Sequence, residues 1–98
     1  MGKVIFTISY DIVPEKRVEY LPLSQKMKEH ILQKEGVEEY SIFENRRKQN
    51  SFSEVFIFNS IDDYDGLEDE DDTMCNLTSQ LESMLTDGKM KYSTLVEV

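Results

Sequence analysis

Two stretches of this chain are apolar at every position: Val4-Ile5-Phe6 and Val55-Phe56-Ile57-Phe58. Successive strand residues point to opposite faces, so strands built from these runs must be buried on both sides. Such strands sit in the middle of a sheet, flanked by others. A chain of 98 residues has room for one such sheet, and so for a single domain over residues 1–98.

The rest of the chain sorts around these two strands. Residues 4–10 read as the first strand, and Pro14 suits the first position of a helix. Residues 15–35 carry Tyr20, Leu23, Met27 and Ile31 at spacings of three and four, which predicts a helix stopped by Gly36. Pro22 removes a donor inside it and crowds the carbonyl of Val18, which predicts a kink or restart. Residues 37–43 alternate as a second strand, with Tyr40 and Ile42 on one side and Val37, Ser41 and Phe43 on the other. A polar turn over residues 45–51 leads into the third strand, residues 52–59. The acidic stretch 61–72 predicts a short helix or turn interrupted at Gly66. Met74, Leu77, Leu81, Met84 and Leu85 predict a helix over 73–86, and residues 89–98 alternate as a fourth strand.

This β-α-β-β-α-β order is the ferredoxin-like arrangement, an α+β fold with strand order 4-1-3-2. Its helices cover one face of the four-stranded antiparallel sheet. The other face is expected to expose apolar and aromatic side chains from the central strands, and a patch of that size is rare on a soluble monomer. A second copy related by a two-fold axis covers it most simply, which predicts a homodimer.

Charge and cysteine content narrow the function classes. Eleven basic residues against twenty acidic ones leave a formal net charge of −9. Such a surface repels phosphate backbones and anionic lipid, which argues against nucleic-acid and membrane partners. One cysteine makes neither an internal disulfide nor a cysteine-rich metal site. Without an apolar run of membrane-spanning length or a leader-like start, the expectation is a cytoplasmic protein.

The chain resembles the dimeric α/β-barrel superfamily, and within it the antibiotic-biosynthesis-monooxygenase-like domains. The resemblance runs over nearly the whole length. It rests on Val13-Pro14-Glu15-Lys16 after the first strand, Glu35-Gly36 closing the helix, and Tyr40-Ser41-Ile42-Phe43. Residues 52–58 running into Ser60-Ile61-Asp62-Asp63-Tyr64 complete it. It implies two sheets packed face to face in a homodimer, with a small cavity in each half. Members of that group include cofactor-free oxygenases of polycyclic aromatics and haem-degrading enzymes. This chain departs from them at three places. Phe58 stands where a tryptophan commonly ends the third strand, the second helix lacks the frequent histidine, and Ile8 or Ser9 stands at the haem-degraders' asparagine.

A few side chains have the chemistry for a site. His30, the single histidine, reads as a helical surface residue near a C-terminus; alone it excludes two-histidine metal sites. Cys75 follows six acidic residues between Asp65 and Asp72, which repel a thiolate, so it reads as a small reduced side chain. The segment from Asp62 to Asp72 holds eight acids in eleven residues, yet Ile61 falls where a calcium loop needs its first carboxylate. It reads as a solvated acidic segment. Asn76-Leu77-Thr78 matches a glycosylation sequon by chance.

Arg46-Arg47-Lys48 reads as a solvated turn. Thr7 and Ser9 on the first strand, Phe56, Phe58 and Asn59 on the third, Tyr40 on the second and Tyr92 on the fourth remain as candidate ligand-binding residues. If the family's register holds, they line a pocket suited to a flat apolar or aromatic ligand. No catalytic residue, metal or cofactor is assigned. The expected function is small-molecule binding. The alternatives are a cofactor-independent monooxygenase acting on an aromatic substrate, or a structural or regulatory domain that meets a basic partner through Asp69 to Asp72.

Overall fold

The computed structural model describes residues 2–67 and 72–98. Four strands form one antiparallel sheet: β1 (Val4–Asp11), β2 (Val37–Glu44), β3 (Ser51–Phe58) and β4 (Lys91–Val96), in the order β2-β3-β1-β4. The helices are α1 (Arg17–Ile31), entered through a 3-10 turn at Pro14–Lys16, the short α2 (Ile61–Asp65) and α3 (Asp72–Glu82). The ferredoxin-like topology and the strand order 4-1-3-2 are those expected. The two runs without polar residues are the central strands.

Pairing decides which side chains meet. Phe6 faces Phe56 across the β1–β3 ladder, Ile8 faces Glu54 and Tyr10 faces Phe52. Even-numbered residues of both strands therefore share the face under the helices, and odd-numbered residues share the open one. Burial follows this alternation along β3, where Phe52, Glu54, Phe56 and Phe58 are buried. The open face therefore differs from expectation. Its central part carries Ile5, Thr7, Ser9, Ser53, Val55 and Ile57, aliphatic and hydroxyl groups only. The aromatic rings of both central strands point to the helix side. Phe43, on the edge strand β2, is the aromatic exception among the described residues.

Three other details depart from the sequence pattern. A bulge between Val37 and Glu39 breaks the period of two, so Val37 faces Phe58 and joins the helix-side core instead of the side of Ser41 and Phe43. Helix α1 neither restarts nor stops at Pro22. Val18 and Pro22 are both exposed, on the solvent side of the helix, where water can take the carbonyl that proline leaves unpaired. Helix α3 ends at Glu82, before Met84 and Leu85. Both residues are still buried, because the turn after the helix bonds to the end of β1: Val13 N–H to Met84 O and Thr86 N–H to Asp11 O, each 2.9 Å.

The core has two clusters. One gathers Tyr10, Tyr20, Phe52, Leu77 and Leu81; the other gathers Val4, Ile31, Tyr40, Phe56 and Phe58. Ile8, Ile42 and Met74 pack against both.

The loops are held by polar ties. Arg17 reaches from α1 to the β2–β3 hairpin, donating to Glu44 Oε1 at 3.0 Å and to Asn50 Oδ1 at 2.9 Å. The guanidinium and the Asn50 N–H hold the Glu44 carboxyl down to about 2. Arg46 and Lys48 are exposed turn residues, and Lys48 pairs with Asp11 at 3.0 Å. The Ser60 hydroxyl caps α2 by accepting from Asp63 N–H at 3.1 Å. Asp62, Asp63 and Asp65 lie in α2 and Asp72 opens α3, while Glu68 to Asp71 lie outside the described residues. Among the described residues no three metal-ligating side chains gather, and no helix is long and apolar enough to cross a membrane.

Gly36 adopts φ +88°, and a Cβ there would meet Asp63 Cβ at 3.1 Å. Replacing it both strains the backbone and presses α2 away from the end of α1. Gly36→Ala should cost about 1 kcal/mol or more, a fall of roughly 4–8 °C in Tm for a domain of this size. Thermal unfolding followed by circular dichroism measures this; an unchanged Tm would mean that this helix stop is not strained.

Candidate functional site

The site begins with the ladder. Phe6, Ile8 and Phe56 lie side by side on the helix face, with Tyr92 beyond them on the edge strand β4. Helix α3 faces them. Its Leu77 and Leu81 are buried in the core, and a neighbouring stripe of Cys75, Thr78, Ser79 and Glu82 follows the i, i+3, i+4, i+7 spacing of one helix face. Between sheet and stripe lies a half-open cleft of about 440 Å³. Ile31 and Lys34 bound it at the end of α1. The cleft thus has an apolar, largely aromatic wall and a wall of small polar groups, the composition of small-molecule sites.

Two other hollows are less suited to a ligand. One of about 350 Å³ lies around Ile5, Ile57 and Leu95 on the open face of the sheet. Another, of about 510 Å³ near the hairpin, is polar and holds the Lys48–Asp11 pair.

The aromatic wall is braced from behind. Phe6 and Phe56 lie 5.4 Å apart between ring centres, and Phe6 stacks on Tyr92 at 6.1 Å. Tyr40 meets Phe56 edge-on at 4.7 Å, and Phe58 stacks parallel to Phe56 at 6.2 Å.

Beside Ile8 on the same face is the least expected group among the described residues. Glu54 is only 2% exposed. Tyr40 donates its phenolic proton to Glu54 Oε1 at 2.7 Å, and Tyr10 also hydrogen-bonds the carboxyl. The Tyr10 and Tyr20 hydroxyls lie 2.8 Å apart. Each phenol has one proton, so with Glu54 ionised the bonds run Tyr20 to Tyr10 to Glu54, with Tyr40 joining from the other side. Burial pushes the Glu54 carboxyl above its ordinary value, and the two phenols only partly offset this. Burial, with the nearby Glu54 charge, pushes all three phenols up as well, so they stay neutral donors.

The seven candidate residues do not gather in one place. Phe56 and Tyr92 line the cleft, while Tyr40 and Phe58 stand behind its wall. Thr7 and Ser9 point to the open face, where Ser9 Oγ bonds Ser53 Oγ at 2.9 Å, and Asn59 is exposed beyond the end of β3. Their grouping combined odd positions of β1 with even positions of β3, which the observed register separates. Phe6, Ile8, Glu54 and the α3 stripe were overlooked. Phe6 and Ile8 alternate with Thr7, and the stripe has helical spacing. Glu54 shares strand phase with Phe52, Phe56 and Phe58, so a charge on an aromatic face was readable. His30 is half-buried on α1 and does not line the cleft; Cys75 is exposed and does.

No protein-family model matches the chain, and no curated protein matches it. Solved structures do. A conserved protein from Methanosarcina mazei Go1 is similar at TM-score 0.86 and 16% identity, covering 97% of this chain and 92% of that one. An antibiotic biosynthesis monooxygenase aligns at TM-score 0.75 and 17% identity, over 100% of this chain and 97% of that one. A variant of SnoaB, a cofactor-independent oxygenase from Streptomyces nogalater, aligns at TM-score 0.78 and 11% identity, over 95% and 90%. The chain shares its fold with these proteins, an antibiotic biosynthesis monooxygenase among them, as the sequence resemblance implied.

Glu54 gives the site a signature in pH. Between the ordinary glutamate value of 4.5 and its raised one, the folded protein keeps a proton that the unfolded chain has lost. Its contribution to stability therefore falls as pH rises through that window. Glu54→Gln removes this slope. In urea denaturation, the stability of the variant relative to the parent should rise as pH is raised above the ordinary glutamate value of 4.5. A difference that stays flat would show that Glu54 does not titrate there.

Proposed function

We propose that this protein is a cytoplasmic small-molecule-binding domain. It holds a flat, largely apolar ligand in the cleft between the sheet and α3, and works as a homodimer. The observation that carries the reading is the cleft itself: about 440 Å³ walled by Phe6, Ile8 and Phe56 and faced by the hydroxyls of Thr78 and Ser79. A planar ligand lies against the rings, and its polar edge meets the α3 stripe.

The open face supports the assembly. Ile57, Ile5 and Leu95 form one row across β3, β1 and β4, with Val55 in the next row. Glu39 on the β2 edge and Lys91 on the β4 edge lie on this same face. A two-fold axis along the strands lays the β2 edge of one copy over the β4 edge of the other, so the row of Ile57, Ile5 and Leu95 meets its own copy as an apolar centre.

A second reading is a cofactor-independent monooxygenase acting on an aromatic substrate. SnoaB, which shares this fold, is a cofactor-independent oxygenase, and this favours it. So do the ionisable side chains on the cleft's lining, Lys34, Glu82 and Tyr92. In that reaction the substrate itself supplies the electrons that reduce the second oxygen atom of O₂ to water. The reading in which Asp69 to Asp72 meet a basic partner rests on a segment whose first three residues lie outside those described.

Thr78→Trp fills the cleft from the helix side. With 2-naphthol as probe, the parent should show a ligand-dependent rise in Tm that the variant loses, with the variant still folded. Equal stabilisation of both would remove the cleft as the site. Oxygen uptake with a hydroxylated polycyclic aromatic separates the two readings: consumption that stops in Thr78→Trp selects the oxygenase. For the assembly, Ile57→Glu should convert a dimer to a monomer in sedimentation equilibrium, because it buries an unpaired charge at the centre of the contact. A parent already monomeric at high concentration would overturn the dimer.

A further inference from the structure

We propose that the cleft selects ligands carrying a positive charge on their flat apolar body. This rests on the cleft being a ligand site, and it names the chemical class that site takes. Three features on different elements converge. The first is the aromatic wall. Phe6 and Tyr92 stack nearly parallel, 14° apart, and Phe56 lies beside Phe6. Ring faces attract an ammonium or other soft cation and are indifferent or unfavourable to an anion.

The second is Glu82, which closes the α3 stripe at the rim. The third is Glu54, which pairs with Ile8 across the ladder and lies beside it on the same face. Cross-strand neighbours lie about 5 Å apart, so Glu54 stands next to a residue of the cleft wall without itself lining the cleft. Its neighbours are Tyr10 from β1 and Tyr40 from β2, with Tyr20 of α1 behind Tyr10. All are neutral phenols, and no ammonium or guanidinium is among the groups that set its ionisation. Any negative charge there is therefore left for a cation in the cleft to feel, at low dielectric.

The surrounding chain adds to this with its net charge of −9. Lys34 is the one cation among the described lining residues, and it is engaged in an interaction of its own. An anionic ligand would meet Lys34 against Glu82 and the rings, and against Glu54 wherever that carboxyl is ionised.

The test compares three probes of one shape: 2-naphthylmethylammonium, 2-naphthylmethanol and 2-naphthoate. Binding is measured by NMR titration at about 150 mM salt, where long-range surface attraction is screened beyond about 8 Å. The Met74 methyl and the Thr78 amide report the cleft. The ammonium should bind about tenfold tighter than the alcohol, and the carboxylate weakest. Glu82→Gln, a surface change that leaves the core alone, should narrow the ammonium–alcohol gap roughly two- to fivefold. Glu54→Gln, if it folds, should narrow it as well.

Equal or tighter binding of the alcohol or the carboxylate overturns the charge preference and leaves the cleft standing as an apolar site. Ammonium shifts scattered over acidic surface residues and abolished by 0.5 M salt overturn it too, as surface attraction. If none of the three probes shifts Met74 or Thr78, the cleft reading itself fails and this inference with it.

Discussion

The pairing of β1 with β3 governs the rest of the molecule. It sets Phe6 against Phe56, Ile8 against Glu54 and Tyr10 against Phe52. A shift of one residue would carry every aromatic ring of β1 to the open face and bring Thr7 and Ser9 under the helices. The register thus assigns the two sides their chemistry: aromatic and helix-covered on one, aliphatic and hydroxylated on the other. The core, the cleft and the proposed contact between copies all follow from it. The hydrophobic effect enforces it, since the slipped register would leave the rings of one central strand without a core to enter.

Glu54 is the exception that this register tolerates. A carboxylate placed among Phe52, Phe56 and Phe58 would ordinarily cost several kcal/mol. Three tyrosines from three different elements make the position tenable: Tyr10 on β1, Tyr20 on α1 and Tyr40 on β2. The Tyr10 and Tyr40 hydroxyls bond the carboxyl, and the Tyr20 hydroxyl bonds that of Tyr10. Among the described residues no buried side-chain nitrogen or oxygen lacks a partner. The polar network lies where the two core clusters meet, between Ile8 and Ile42, which pack against both. It ties α1 to the sheet through directional bonds in addition to that apolar packing. Such networks are stable when complete and costly when broken, so Glu54 and its tyrosines stand or fall together.

How much of this was legible in the sequence depends on which physical signal carried it. Element order and strand order were readable, because Val4-Ile5-Phe6 and Val55-Phe56-Ile57-Phe58 have no polar side to show to water. The apolar stripe of α1 was readable for the same reason, and Tyr20, Leu23, Met27 and Ile31 are indeed its buried residues. The site was not, because it depends on relations between strands. Nothing within β1 says whether Phe6 or Thr7 shares a face with Phe56; only the pairing does. The bulge before Glu39 shows the same limit on a smaller scale, moving Val37 across the sheet without a glycine or proline to announce it. Pro22 shows the opposite case. The rule that proline breaks helices assumes that its lost bond matters, and on the solvent side of α1 water replaces that bond.

The cleft is a consequence of where the helices sit over the sheet. A helix is about 10 Å across and strands lie about 4.8 Å apart, so two helices are just wide enough to cover four strands, and an offset to one side leaves a strip uncovered. α1 and the C-terminal half of α3 fill the space over Phe52 and Tyr10, with Tyr20, Leu77 and Leu81 as the filling. Toward β4 the cover thins, and among the described residues it is Tyr64 of α2 that reaches over, its hydroxyl 3.2 Å from that of Thr94. All six residues of β4 are exposed, and Tyr92 keeps 63% of its surface accessible although it shares the helix face with Phe6 and Ile8. The uncovered strip begins where the buried stripe of α3 gives way to Cys75, Thr78, Ser79 and Glu82. Small polar residues there leave the gap open, whereas leucines would have closed it onto Phe6 and Phe56. A core stripe next to a polar stripe on one helix is therefore what separates a filled layer from a cleft. The acidic rim residue Glu82 and the buried Glu54 set the electrostatic character of the space that remains.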